Sequence, residues 1–152
     1  MASYWLYKTE PSTFSIEDLK RVKRTAWEGV RNYSARNNLR AAKAGDEVLF
    51  YHSSTKPMAV VGIAKVVKEA YADPSQFDPK SEYYDKDSNR DDPRWSLVDI
   101  AFAEAFPHPV TLDEMKSMPA LKNMVLLKRG RLSVQPVTAA EWSAIVKRGH
   151  ST

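Results

Sequence analysis

The chain has 152 residues and no cysteine, a length suited to one domain with its own core, and a composition that excludes disulfides, thiol catalysis and cysteine-ligated zinc. Its net charge of +4 is unevenly spread: residues 1–45 carry nine Lys/Arg against four Asp/Glu, and residues 73–92 carry three against seven. A basic face with a separate acidic loop suits approach to a polyanion in one orientation, although solvated surface charge alone gives the same counts.

In chain order, Tyr4-Trp5-Leu6-Tyr7-Lys8 reads as an aromatic-rich strand ended by Glu10-Pro11. Ser15 is the N-cap of a short helix with acids in its first turn, followed by a basic cluster from Lys20 to Arg24. Next comes a short extended segment around Trp27, a turn at Gly29 and a helix from about Tyr33 to Lys43, with Asn32 at its start. Ala35, Leu39 and Ala42 form the apolar stripe of that helix. Arg36, Arg40 and Lys43 repeat the spacing beside it as a basic ridge, read equally well as a phosphate contact or a solvated face.

Gly45 caps the helix, Glu47–Ser53 is a strand, and after a loop at residues 54–57 a longer strand runs from Met58 to Tyr71. Gly62 within it marks a bulge, a bend or a close backbone approach. Residues 72–93 are polar and turn-rich, an unusual length of structureless chain and therefore a functional candidate. A strand at Arg94–Phe102 and a capping box at Thr111–Glu114 follow, the box opening a helix closed by Pro119. A strand at Arg131–Pro136 and a second box at Thr138–Glu141 complete the chain. The expected fold is α+β: five or six mostly antiparallel strands closing into a β-barrel with helices packed around it, as a single domain over residues 1–152.

Catalytic signatures are missing. The sequence has no phosphate-binding glycine loop, no nucleophile elbow and no metal-type histidine spacing among His52, His108 and His150. The stretch Asp85–Ser96 imitates a calcium loop but has Arg90 at the sixth position and Ser96 at the twelfth. No apolar run approaches the ~18 residues of a membrane span, and the N-terminal residues lack a signal-peptide pattern. The chain reads as an intracellular protein, cytoplasmic in a bacterium and nuclear in a eukaryote, with no enzymatic activity, cofactor, metal or membrane partner.

One junction stands out. Trp27, Gly29, Arg31, Asn32, Tyr33 and Ser34 gather a stacking surface, a guanidinium, an amide and a helix start within a few residues. Taken alone, a core Trp27 and a capping Asn32 account for it as well. The surrounding motifs resemble the EVE domain family over Tyr4–Trp142: Tyr4-Trp5-Leu6 with Lys8, Glu10 and Pro11; Trp27 through Asn37; Phe50-Tyr51-His52-Ser53; Phe77-Asp78-Pro79; Tyr83-Tyr84-Asp85; Pro93-Arg94-Trp95; and Arg131 through Pro136. Two departures are Ser34, where glutamine is common, and Lys56-Pro57-Met58, which lacks the usual Pro-Gly.

The resemblance implies a PUA-like barrel, related to YTH and ASCH domains, that reads a modified base such as a 5-substituted cytosine in DNA. It implies Trp27 and Trp95 as stacking walls, Asn32, Ser53 and Gln135 at the base edge, and Val30, Tyr33, Ser34, Asn37 and Tyr71 around the pocket. Arg31, Arg36 and Arg94 would grip phosphate or acceptor groups bidentately. Lys8, Arg40 and Lys43 join Arg36 as phosphate contacts. Trp5, Tyr7, Phe50, Phe102, Phe106 and Trp142 are assigned to the core, and Tyr83 and Tyr84 to anchoring the long loop. The expected partner is modified DNA or RNA, bound by a monomer. An RNA-binding module, a sensor of a free nucleobase and an enzyme acting on modified nucleosides are the rival readings.

Overall fold

The computed structural model describes residues 3–151. Six strands form one sheet: β1 (Tyr4–Thr9), β2 (Arg24–Ala26), β3 (Glu47–His52), β4 (Ala59–Ala72), β5 (Ser96–Thr111) and β6 (Val134–Val137). Five helices accompany it: α1 (Ile16–Val22), α2 (Tyr33–Ala41), α3 (Leu112–Lys116), α4 (Val125–Lys128) and α5 (Ala139–Gly149). The strands pair in the order β2-β5-β4-β3-β1-β6. Only β1 and β3 run parallel; every other pair is antiparallel. A parallel pair needs a long crossover, and α1, β2 and α2 supply it. The barrel closure expected from the sequence is absent from the pairing, in which β2 and β6 are the two ends.

Side-chain alternation explains how one sheet carries two apolar layers. Trp5 and Tyr7 of β1 lie on the same face as Val48 and Phe50 of β3, and pack with Leu19 of α1, Leu39 of α2 and Trp27. Leu6 and Leu49 point the other way, toward Met115, Leu126, Trp142 and Ile145. The capping boxes at Ser15, Thr111 and Thr138 are formed as their spacing predicts. Trp5 is anchored from the side: its indole Nε1 donates to buried Asp46 at 2.9 Å.

Several elements differ from their sequence expectation, β6 among them, which begins at Val134 and not at Arg131. β5 runs nine residues beyond Phe102 to Thr111, through Pro107 and Pro109. Its ladder with β4 passes from Ala105 to Val110 without pairing the residues between, so both prolines sit where no backbone donor is required. The stretch at 72–93 is also more ordered than expected, with a 3₁₀ turn at Pro74–Phe77 and a bridge between Asn89 and Asp92. The strand Arg24–Ala26 is the extended segment expected around Trp27, ending one residue before it, whereas the short helix Val125–Lys128 had no distinct pattern in the sequence.

Gly62 proves to be a close approach beside a bulge. The β3–β4 register shifts between Phe50 and Tyr51, and a Cβ on Gly62 would collide with the Glu104 carbonyl oxygen and lie 3.1 Å from Ile16 Cδ1. The expected outcome for Gly62→Ala is a loss of about 1–3 kcal/mol in stability, read by urea denaturation. An unchanged midpoint would mean that β4 and β5 separate at this point without cost.

Candidate functional site

The Trp27–Arg31 turn is placed by backbone and then locked by one acid. Trp27 N–H donates to Val98 O at 2.8 Å, extending the β2 edge along β5. Gly29 then adopts φ +86, a conformation that costs other residues strain. Its N–H donates to Asp73 Oδ2 at 2.9 Å. Asp73 is 0% exposed and also accepts from Arg31 Nη1 at 3.1 Å and from Ser75 N–H at 2.8 Å. Burial pushes the Asp73 carboxyl up, but the bonds from Ser75, Gly29 and Arg31 outweigh it and hold the group below its ordinary value.

Arg31 spends its whole donor set on the protein. Nε and Nη2 reach Tyr83 O, Nη1 reaches Val30 O and Asp73, and Nη2 also reaches Ser75 Oγ. A guanidinium has five N–H donors, so none is left for a bidentate grip on phosphate. Arg31 fastens the 73–95 loop to the Trp27 turn. As a result the Tyr83 ring lies directly against Gly29, where a built Cβ would come within 2.6 Å of it.

Behind this turn lies a cleft of about 860 Å³. It opens at the carboxyl ends of the parallel pair, with Lys8, Thr9 and Glu10 from β1 and its exit, and Tyr51 and Ser53 from β3 and its exit. Trp27, Val30, Arg31 and Tyr83 form one wall, while Phe14, Met58, Leu126 and Arg131 contribute elsewhere. Trp27 is 9% exposed and meets Phe50 edge-on at 5.7 Å and Phe14 at 6.3 Å. It is both a core residue and a cleft wall, so the two readings of Trp27 are compatible. Lys8 Nζ donates to Gly130 O, and burial lowers its pKa.

The remaining residues marked in the sequence lie outside this cleft. Trp95 is buried, donates from Nε1 to Asp85 Oδ2 at 2.7 Å, and stacks on Tyr33 at 5.0 Å. The cleft is therefore lined by Trp27 and not by Trp95. Arg31 lies over both Trp95 and Tyr83 (5.4 and 5.5 Å), and Arg36 lies over Tyr33 at 4.8 Å. The chain of contacts joins the cleft wall to a second depression of about 460 Å³ lined by Tyr33, Arg36, Arg40, Arg94 and the 87–93 turn.

The ridge is tied to that turn. Arg36 Nη1 donates to Arg94 O, Arg40 donates to Ser96 Oγ and Pro93 O, and Arg94 pairs with Asp85. Burial, and next the charge of Arg36, lowers the Arg40 pKa. Asn32 caps α2 by accepting from Ala35 N–H at 2.9 Å. Ser34, Asn37 and Lys43 are exposed on or beside α2, with Asn37 accepting from Arg36. Tyr71 Oη donates to Asp99 at 2.6 Å. Gln135 is buried and donates to Leu132 O and Arg129 O, holding the turn that carries Gly130 and Arg131.

Sequence reasoning missed Phe14, Tyr51, Met58, Tyr83, Leu126 and Arg131 as cleft residues. They come from separate parts of the chain and share no spacing. Tyr83 alone had a local signal, an aromatic pair in a polar loop. The histidines are engaged singly: His52 Nε2 accepts from Ile16 N–H at 3.1 Å, His108 meets Glu114 and His150 meets Glu104. Among the described residues no cluster of three or more His, Cys, Asp or Glu could hold a metal, and no helix is long and apolar enough to cross a membrane.

Comparison with known proteins matches the EVE domain model to residues 3–148. Mouse thymocyte nuclear protein 1 is 46% identical over 165 residues, an alignment covering 96% of this chain and 73% of that protein. The crystal structure of human THYN1 protein in complex with 5-methylcytosine-containing DNA is similar at TM-score 0.95 and 42% identity, covering 99% of each chain. A hypothetical protein from Leishmania major gives TM-score 0.94 and 46% identity, covering 98% of this chain and 95% of that one.

The buried acid makes acid sensitivity a test of the site. Because the folded pKa of Asp73 is depressed, the unfolded chain binds the proton more readily. The stabilisation is therefore present above the ordinary aspartate pKa of about 3.9 and is lost as pH falls through the lower folded value. Asp73→Asn is expected to cost about 3 kcal/mol at pH 7 and to flatten the acid limb of the stability profile below about pH 4. Urea unfolding at pH 7 and pH 3 reads both; an unaltered acid limb in the variant would place the sensitivity elsewhere.

Proposed function

This chain belongs to the EVE domain family, and from that premise we propose that it is a non-enzymatic reader of modified DNA that takes a 5-substituted cytosine into the Trp27 cleft. The observation that carries the reading is similarity, over 99% of both chains, to a structure crystallised with 5-methylcytosine-containing DNA. Extruding a base costs a few kcal/mol of lost pairing and stacking, and stacking on an aromatic returns about 1–3 kcal/mol per base. Trp27 and Tyr83 offer rings to such a base, and Phe14, Met58 and Leu126 offer apolar surface to a 5-methyl group. Val30 and Ser53 line the same space.

Phosphate contacts fall to cations with donors to spare. Arg131 lines the cleft and is exposed, and exposed Lys128 and Arg129 precede it. Lys8 stands at the cleft edge, and Lys43 is exposed on the α2 side. Arg31, Arg36, Arg40 and Arg94 support the reading indirectly, by shaping the walls and the 73–95 loop. Asn32, Tyr33, Ser34, Asn37 and Trp95 belong with this outer layer. Tyr71 is tied to Asp99, and Gln135 supports the turn before β6.

The register shifts along β4 and β5 support a curled sheet of the PUA-like barrel type, built as one domain and acting as a monomer. A nuclear location in a eukaryote, or a cytoplasmic one in a bacterium, follows from a DNA ligand.

Trp27→Phe keeps an aromatic in the core and shortens the stacking surface. Its affinity for a duplex with one 5-methylcytosine is expected to fall about tenfold, near 1.4 kcal/mol, while binding to unmodified duplex stays within twofold. Fluorescence anisotropy at fixed salt measures both. Equal wild-type binding to modified and unmodified duplexes would sink the reader reading.

A further inference from the structure

Among the described residues Tyr7 and Tyr51 are the buried tyrosines, and Tyr71 is half-buried. Tyr71 Oη donates to Asp99. Tyr7 Oη is sealed in the core without a partner, as is Gln135 Oε1. Tyr51 differs from both. It is 2% exposed and its ring packs in the layer of Leu49, Val60 and Val110. Among the described residues its hydroxyl has no hydrogen-bond partner, yet it is not one of the sealed atoms. What little of it is exposed opens on the cleft that it lines.

The local backbone explains why the ring stands there. Alternation along β3 puts Tyr51 on the face of Leu49, opposite Phe50, and the extra residue of the register shift, Val61, belongs to β4. Phe50 goes to the Trp27 layer and Tyr51 to the opposite one, so the cleft crosses the end of the sheet between them. Phenylalanine would fill the same packing. A phenol here adds one polar atom that the protein does not use, and a desolvated hydroxyl needs a partner.

The chemistry of that atom narrows what it meets. Burial pushes the phenol up to about 12, so it stays a neutral donor across the physiological range. Fixed positive charge is found close by, at Lys8, whose Nζ lies 5.7 Å from the Tyr51 ring centroid but bonds to Gly130 O. A phosphate is held more strongly by the cations at Lys8 and Arg131 than by a neutral phenol.

We propose that Tyr51 Oη is the specificity-determining donor at the floor of the cleft, and that it meets a neutral acceptor on the edge of the bound base, a ring nitrogen or ring carbonyl. The inference rests on the reading of the cleft as a base site. Tyr51 thus distinguishes an inserted base from the sugar–phosphate chain that carries it.

Tyr51→Phe tests this against duplexes bearing 5-methylcytosine or an abasic site at the same position. The variant is expected to bind the 5-methylcytosine duplex about five- to tenfold more weakly and the abasic duplex within twofold of wild type. The slope of affinity against salt should be unchanged, since no phosphate contact is lost. Its thermal midpoint should match wild type, because no bond within the protein is removed. Equal affinity of the two proteins for the 5-methylcytosine duplex overturns the proposal. So does equal weakening on the abasic duplex, which would place the contact on the backbone, or a midpoint lower by several degrees, which would give the hydroxyl a structural partner. Wild type binding both duplexes equally would remove the base-site reading itself, and that outcome is visible before the variant is made.

Discussion

Asp73 is fully buried, and its oxygens accept from Gly29 N–H, Arg31 Nη1, Ser75 N–H and Ser75 Oγ. A carboxylate in that position is tolerable only when paired and hydrogen-bonded. The condition fixes two otherwise independent segments against each other: the Trp27 turn and the long loop after β4. Arg31 then carries the constraint outward through Tyr83 O, bringing the Tyr83 ring against Gly29. Both a glycine at position 29 and an aromatic at position 83 are needed for the cleft to have that wall. A replacement at either place changes the cleft even though neither residue holds the acid's charge.

The arginines show how far one charge type can serve different ends. Arg31, Arg36, Arg40 and Arg94 look from the sequence like a phosphate-binding set. In the fold each of them donates to at least one carbonyl or acid of the 73–96 region. Binding a carbonyl with a cation is a way to order a polar loop that lacks a core of its own. The acidic excess of residues 73–92 has the same explanation in part: Asp73 and Asp85 meet Arg31 and Arg94. The exposed cations Lys128, Arg129 and Arg131 around Gly130 lie apart from this set.

Local signals were legible because their physics is local. A capping box joins residues three apart, and those at Thr111 and Thr138 are formed. Alternation along Tyr4–Lys8 and Glu47–Ser53 placed β1 and β3 to within a residue. β5 was read only as far as Phe102; beyond it Pro107 and Pro109 cannot donate to a ladder, and the sheet leaves them unpaired against β4. The Trp27 turn was likewise visible from Gly29 and the Asn32 cap. Trp95 shared its surroundings of arginine and polar turn, but stacking on Tyr33 and bonding to Asp85 take it to the outer layer.

By itself the sequence determined where most strands and helices lie, which faces are apolar, and that the residues from Trp27 to Asn37 form a junction of chemical interest. Whether a given arginine is a free cation or a tether was decided only by the tertiary structure, since Arg31 finds its partners 42 to 52 residues away. The same holds for the cleft, whose lining comes from both apolar layers and from the exits of two strands joined by a crossover. Periodicity records which way a side chain points from its own backbone. It carries no record of which distant donor will satisfy an acceptor, and burial makes that pairing obligatory.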